Sequence, residues 1–277
     1  MAMDIKQLAK RWLPPILVDW YRAFRHGKQY KTHIWEGVYQ NYRDVPVAGA
    51  GYAGDRLTQE TLIYTRFVLA ASQQRRFVPT EVIGQHVFLP MLVSILGHDH
   101  DTVSILDFGG GMGVDYIHLI SSVPHAKHID YHIVENRSVC EAGSRLFENG
   151  SRVHFYPSLP TGLAKVDIVY ICTALQYVEN YASLLKALSD YHPEYFLFVK
   201  LAAGDIPTYA TIQRNLPGTT VGHWFINVRE IESLMYANGY SLIFKSAQER
   251  EYDQENFPAE YRLKRHCNLL FRRSGDE

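Results

Sequence analysis

Val103-Ser104-Ile105-Leu106-Asp107-Phe108-Gly109-Gly110-Gly111-Met112-Gly113-Val114-Asp115-Tyr116 reads as a strand, a glycine turn and the start of a helix. The residues before Asp107 are mostly apolar and partly β-branched, which suits a strand buried on both faces. Glycines then fill four of the five positions from 109 to 113. Lacking a Cβ, they let the chain turn sharply and come close to a ligand. A helix from Val114 turns its free N–H groups back towards that turn. This is the form of a nucleotide-type site on a doubly wound sheet.

Which ligand it takes is read from the spacing. A dinucleotide fingerprint wants G-x-G-x-x-G, with a pyrophosphate on the helix N-terminus. Here the pattern is Asp107-x-Gly109-x-Gly111-x-Gly113, and Val114 stands at the third fingerprint position. No Gly-Lys-Ser or Gly-Lys-Thr follows, so this is not a P-loop. The D-x-G-x-G-x-G form resembles the first motif of class I S-adenosylmethionine (SAM) methyltransferases. That resemblance implies a loop lying under the amino-acid end of SAM.

The 277 residues suit one α/β domain with an added N-terminal segment. A 47% hydrophobic fraction supports a large core, and a net charge of −1 gives no overall reason to expect nucleic-acid binding. Cys140, Cys172 and Cys267 form neither a C-x-x-C pair nor a disulfide framework, and the last two fall in predicted strands as small apolar residues. No secretory-signal pattern or bilayer-length apolar run stands in the chain, so a cytoplasmic protein is expected.

Residues 1–31 differ from the rest. Lys6, Lys10, Arg11, Arg22, Arg25, Lys28 and Lys31 interleave with Trp12, Trp20, Tyr21 and Phe24, and Pro14-Pro15 breaks the stretch in two. Such a basic, aromatic, amphipathic segment can lie in a membrane interface, or can dock on its own domain or another subunit. Residues 32–55 read as an irregular aromatic connection. Two helices are expected next: Thr58 to Ala71, with Thr58 as N-cap, and a second capped by Thr80 and running to Leu96 with a kink at Pro90. They would cap the site or pack on the sheet.

From Val103, strands and helices alternate as in a parallel sheet. Strands are expected at Tyr131–Glu135, Arg152–Tyr156, Val166–Cys172 and Tyr195–Leu201. Asn227 and Glu230 start a helix that Gly239 ends. Two last strands follow, at Tyr240–Ser246 and His266–Arg272. With the resemblance, this gives an α/β fold: a doubly wound, seven-stranded Rossmann-like sheet in the order 3-2-1-4-5-7-6. Residues 1–97 then form the amphipathic segment and helical cap, and 98–277 the methyltransferase domain.

On this frame SAM is the expected cofactor, and its three parts have candidates. Asp107, Gly109, Gly111, Gly113 and Thr173 would meet the methionine end at the carboxyl edges of adjacent strands. Glu135, ending the second strand, would accept both ribose hydroxyl protons; alternatively it is a solvated acid beginning a helix. Ser158, in a Pro157-Ser158 pair where many relatives have an acid, is the adenine candidate. In methyl transfer the cofactor carries the hard chemistry, and the protein supplies orientation and, for a hydroxyl acceptor, a base. Gln176 and Tyr177 are the substrate-binding candidates. Asp205 and His223 are the catalytic ones, with His223 on a glycine-flanked loop that could close over substrate. His118 is expected at solvent or a helix contact. No His, Cys and carboxylate cluster has metal-ligand spacing, so no metal is expected.

Further stretches narrow the resemblance. Leu13-Pro14-Pro15, Trp35-Glu36-Gly37-Val38-Tyr39, Gly51-Tyr52, Val134-Glu135, Thr173–Glu179 and His223-Trp224-Phe225-Ile226-Asn227 are similar to the methyltransferases of bacterial surface-polysaccharide gene clusters. The resemblance implies O-methylation of a sugar hydroxyl on a lipopolysaccharide, capsule or related glycan, or on a lipid-linked precursor. The basic segment 1–31 would then meet the inner membrane face peripherally, and an oligomer is compatible with it. Two other readings stand beside this one: a catalytically silent SAM-fold scaffold protein in glycan assembly, and a nicotinamide oxidoreductase, which the glycine spacing disfavours.

Overall fold

A computed structural model describes residues 33–73, 87–97, 101–123, 129–147, 152–216, 218–249 and 252–275. The basic segment 1–31 and the Thr80 cap lie outside the described residues. In chain order come β1 (Trp35–Tyr39), α1 (Asp55–Gln73), α2 (Phe88–Leu96), β2 (Val103–Phe108), α3 (Val114–Ser122), β3 (Ile129–Val134), α4 (Arg137–Ser144) and β4 (Val153–Tyr156). Then follow β5 (Ile168–Cys172), α5 (Tyr181–Ser189), β6 (Tyr195–Leu201), β7 (Ala203–Gly204), β8 (Tyr209–Leu216), β9 (Thr219–Asn227), α6 (Val228–Ala237), β10 (Tyr240–Glu249) and β11 (Arg265–Arg273).

Seven strands pair in the order β10-β11-β6-β5-β2-β3-β4. Numbered from β2, that is 6-7-5-4-1-2-3, which is the expected order read from the other edge. β2, β3, β4, β5 and β6 are parallel, and β11 is antiparallel to both its neighbours. The central strands read as near-continuous apolar runs because both faces are covered. On one face Leu106, Val169, Phe196 and Phe198 pack with Leu185, Leu188, Ile231 and Met235 of α5 and α6. On the other, Ile105, Tyr131, Ile168 and Tyr170 pack with Leu89, Leu92, Val93 and Leu96 of α2. β5 starts at Ile168, later than expected. Asp167 is occupied one residue before it: its Oδ2 accepts the Ser104 N–H at 2.8 Å.

A second sheet, unforeseen in the sequence, has the order β1-β8-β9-β7. The stretch 32–55, expected to be irregular, supplies β1, which pairs antiparallel with β8. The 217–225 stretch, expected to be a closing loop, runs mostly within β9, paired along β8. Trp35, Tyr209, Phe225, Phe257 and Leu263 form this sheet's own core.

One further expectation is corrected. Helix α1 begins at Asp55, so Thr58 is not its cap but lies inside it, where its Oγ1 bonds the Gly54 carbonyl at 3.3 Å. His118, expected at solvent or a helix contact, is buried on α3. Pro90 sits in the first turn of α2, where the missing N–H costs no intrahelical bond. Among the described residues no helix is long and apolar enough to cross a membrane.

Candidate ligand cavity

A cavity of about 550 Å³ opens at the carboxyl edge of β2, β3 and β5. The chain runs from β2 outward through β3 and β4, then returns to β5 on the opposite side of β2. Open α/β sheets bind ligands at such a switch point. The floor is Phe108, Gly109, Gly111, Val134, Cys172 and Thr173; Glu135, Asn136, Val139, Pro157, Ser158 and Leu159 form one wall. Tyr52, Tyr177 and Val178, with Leu57, Thr58 and Thr61 of α1, form the other. Helix α1 therefore caps the cavity, while α2 packs on the sheet.

The glycines are not equivalent. Gly109, Gly111 and Gly113 all have positive φ (75°, 57° and 82°). A Cβ on Gly109 would stand 2.4 Å from the Ala174 Cβ, and one on Gly110 would stand 2.2 Å from Asp107 Oδ2. Gly113 does not line the cavity; it caps α3 in the left-handed conformation, against Phe147 and Ile133. A Cβ on Gly111 would meet nothing within 4 Å. That open space borders the cavity, at the point where a ligand would rest on bare backbone.

Asp107 lies under the loop, fully buried, and its Oδ2 accepts the Tyr131 hydroxyl at 2.7 Å. Its Oδ1 is buried with no hydrogen-bond partner. Burial first, then the charges of Asp115 and Glu135, hold the Asp107 carboxyl well above the usual carboxylate range; the Tyr131 hydrogen bond opposes this. A raised native pKa means that ionising Asp107 destabilises the fold progressively above about pH 3.8. Asp107→Asn keeps the shape and the Tyr131 bond without the charge. Relative to wild type, the ligand-free variant is expected to gain in melting temperature as pH rises from about 4 to 7, because only wild type carries the carboxyl whose ionisation opposes folding. Calorimetry across that range checks it, and a difference between variant and wild type that does not change with pH would contradict the assignment.

Glu135 follows β3 directly and lines the cavity. Its Oε1 accepts both the Asn136 N–H at 2.8 Å and the Asn136 side-chain amide at 2.9 Å, which leaves Oε2 outside those bonds. Asn136 in turn caps α4 through the Val139 N–H. Thr173 lies on the floor with φ of 54°, a strained setting for a β-branched residue. Such strain persists where the surroundings over-determine it, here a Thr173 N–H bond to the Val199 carbonyl at 3.1 Å.

Of the sequence candidates, Gly109, Gly111, Glu135, Ser158, Thr173 and Tyr177 thus meet at one cavity, with Asp107 beneath it. Gln176, Asp205 and His223 do not line it. Gln176 is buried in the tight turn Leu175–Tyr177, where three residues per turn send neighbouring side chains apart. Asp205 is exposed after β7. His223 is buried on β9 among the rings of Trp35, Tyr177 and Phe225, at 4.5, 5.2 and 4.7 Å between centroids. It stands one aromatic ring behind the cavity wall.

Residues not foreseen hold the Tyr177 wall. The Tyr42 hydroxyl reaches the Gly222 carbonyl at 2.7 Å and the Tyr177 carbonyl at 3.1 Å. Burial, then the charges of Glu179 and Tyr52, push its pKa up to about 12, so it remains a donor. Tyr52 completes the wall, its ring edge-on to Tyr177 at 4.7 Å. The sequence signal was present, in the aromatic density of residues 32–55, but it gave no partner.

Neither a protein-family model nor a curated protein sequence matches the chain. Among solved structures it is similar to a Burkholderia thailandensis 1,6-didemethyltoxoflavin-N1-methyltransferase with bound S-adenosylhomocysteine (SAH). That match has 15% identity, 83% of this chain and 95% of the other covered, and a TM-score of 0.44. It is also similar to the Synechocystis magnesium protoporphyrin IX methyltransferase with bound SAH (13%, 78% and 99%, 0.45). A SAM-dependent methyltransferase from Clostridium acetobutylicum is a third (12%, 77% and 100%, 0.45). These structural neighbours are SAM-dependent methyltransferases.

Proposed function

We propose that the chain is a SAM-dependent methyltransferase that O-methylates a sugar hydroxyl of a bacterial surface glycan or its precursor. The observation that carries the cofactor reading is the acidic, cation-free lining of the cavity: Glu135 stands on its wall, and Asp107 lies buried beneath the glycine turn of its floor. No Lys or Arg stands among the described lining residues. A dinucleotide pyrophosphate would meet the Glu135 carboxylate and no cation where it needs positive charge. A ribose diol finds an acceptor in Glu135, and a cation-free lining does not repel the ammonium of a methionine end. Gly111 leaves the backbone bare for that approach.

When bound, SAM would supply an electrophilic methyl group on a sulfonium. The chain's own residues do the rest: Glu135 orients the ribose, the Gly109–Gly113 turn accommodates the methionine end, and α1 with Tyr177 walls the side opposite Glu135. The glycan assignment rests on the similarity of the N-terminal and His223 stretches and on the aromatic second sheet beside the cavity. The test is thermal melting of the full chain with SAM, SAH and NAD. SAM and SAH are expected to raise the melting temperature, by about 2.7 kcal/mol of stabilisation at 100 times Kd, with no shift for NAD. Absence of a shift with both SAM and SAH would sink the reading. A second reading, a catalytically silent SAM-binding protein, is favoured by one fact: neither Asp205 nor His223 reaches the cavity. Turnover of methyl-labelled SAM with a glycan acceptor decides between the two.

A further inference from the structure

Three separate pieces of the chain meet in one cluster of neutral polar groups, of which Tyr52 and Tyr177 line the cavity and Gln213 and Asn215 hold them from beside it. Tyr52 comes from the tight turn Gly51–Ala53, Tyr177 from the turn Leu175–Tyr177, and Gln213 with Asn215 from β8. The Tyr52 Oη lies 2.9 Å from Tyr177 Oη, 3.1 Å from Gln213 Oε1 and 3.2 Å from Asn215 Nδ2. Gln213 is buried, 5% exposed, on a strand whose opposite face carries Ala210 and Ile212 in the core. A buried amide spent on fixing one phenol is costly unless that phenol's orientation matters. Packing alone does not require the hydroxyls. Phenylalanine would fill the Tyr177 position against the His223 ring equally well, and the Tyr177 hydroxyl is carried on a residue that faces the cavity.

We propose that Tyr52 and Tyr177, fixed by Gln213 and Asn215, form the acceptor subsite of this cavity and take a neutral, multiply hydroxylated acceptor without phosphate groups. This deepens the methyltransferase reading and rests on it. Hydroxyl and amide groups pair with acceptor hydroxyls as both donors and acceptors. A nucleotide-linked sugar would bring a diphosphate to a wall where the described lining residues offer no cation. In the transfer, a lone pair of the acceptor oxygen forms the new C–O bond as the methyl–sulfur bond breaks, its electron pair staying on sulfur. The acceptor's proton, made acidic by alkylation of its oxygen, leaves to water. Tyr177 acts here as the group that orients the acceptor hydroxyl, and Tyr52 as the residue that positions Tyr177.

The test uses the full chain saturated with SAH. Methyl α-glycosides of glucose, galactose, mannose and rhamnose are compared with UDP-glucose and GDP-mannose by saturation-transfer NMR. At least one methyl glycoside is expected to bind, and both nucleotide sugars to bind more weakly or not at all. Tyr52→Phe and Tyr177→Phe should each weaken glycoside binding about three- to tenfold, the loss of one neutral hydrogen bond, with SAH affinity unchanged. A merely structural role would lower the melting temperature or SAH affinity and leave the glycoside affinity of SAH-loaded protein alone. Equal glycoside binding in the variants, binding of nucleotide sugars only, or binding of no glycoside to SAH-loaded protein overturns the subsite. Failure of wild type to bind SAH at all instead brings down the cofactor reading, and the subsite with it.

Discussion

Glu135→Gln is expected to weaken SAH binding by one to two orders of magnitude while leaving the ligand-free protein folded. The glutamine keeps an Oε1 that can accept the two Asn136 donors, so the start of α4 is preserved. It loses the negative charge, and its second terminal atom becomes a donor facing a diol that needs an acceptor. Hydrogen bonds to a charged group contribute about 1.5–3 kcal/mol, which corresponds to roughly 10- to 150-fold in affinity. Isothermal titration with SAH measures the loss. Melting without ligand should fall within about 2 °C of wild type, because the bonds to Asn136 survive. Unchanged SAH affinity would remove Glu135 from the site and favour its alternative role as a solvated acid at a helix start.

The second large effect separates two adjacent functions of the glycine turn. Gly109→Ala places a Cβ 2.4 Å from the Ala174 Cβ at a φ of 75°. Left-handed backbone costs an L-residue about 1–2 kcal/mol and overpacking another 1–3, so a fall of roughly 4–15 °C in melting temperature is expected. Gly111→Ala carries a similar backbone penalty at φ 57° but meets no neighbouring atom. It should melt only a few degrees lower, and its Cβ enters the space a ligand would use, so SAH binding should suffer more than stability. Melting and SAH titration on both variants give the comparison. Equal destabilisation with equal loss of binding would mean that Gly111 serves the fold alone.

The seven-stranded sheet was legible because its signal survives burial. Val103–Phe108, Ile168–Cys172 and Tyr195–Leu201 are apolar on both faces, and each is followed by a break in that pattern. The acidic residue after β3 and the glycines after β2 mark the ligand edge by chemistry that no core position would use. The second sheet was illegible for a related reason. Thr211, Gln213 and His223 point into the protein interior, so β8 and β9 lack the apolar run that announces a strand. Gly218, read as part of a closing loop, instead directly precedes β9 with a φ of 70°. The inward polar groups of this sheet are what concealed it. Placing His223 failed with it: a histidine among glycines suggests an exposed hinge, and only the pairing Thr211–His223 puts it in a strand interior.

The second sheet also sets an order of assembly. Trp35 in β1 finds its partner Gln213 only after most of the chain has been made, and β6 remains an edge until β11 inserts beside it. Contacts so distant in sequence form late, since the loop must close before they contribute. During synthesis from the N-terminus, β1 must wait as an unpaired strand while β2 through β5 can already pair with one another. The strands that carry the glycine turn and Glu135 can therefore take shape first, and the wall bearing Tyr52 and Tyr177 is completed last. Until then the nascent chain carries an aromatic strand in need of cover, which makes β1 the segment where a chaperone or a misplaced second chain would compete with correct folding.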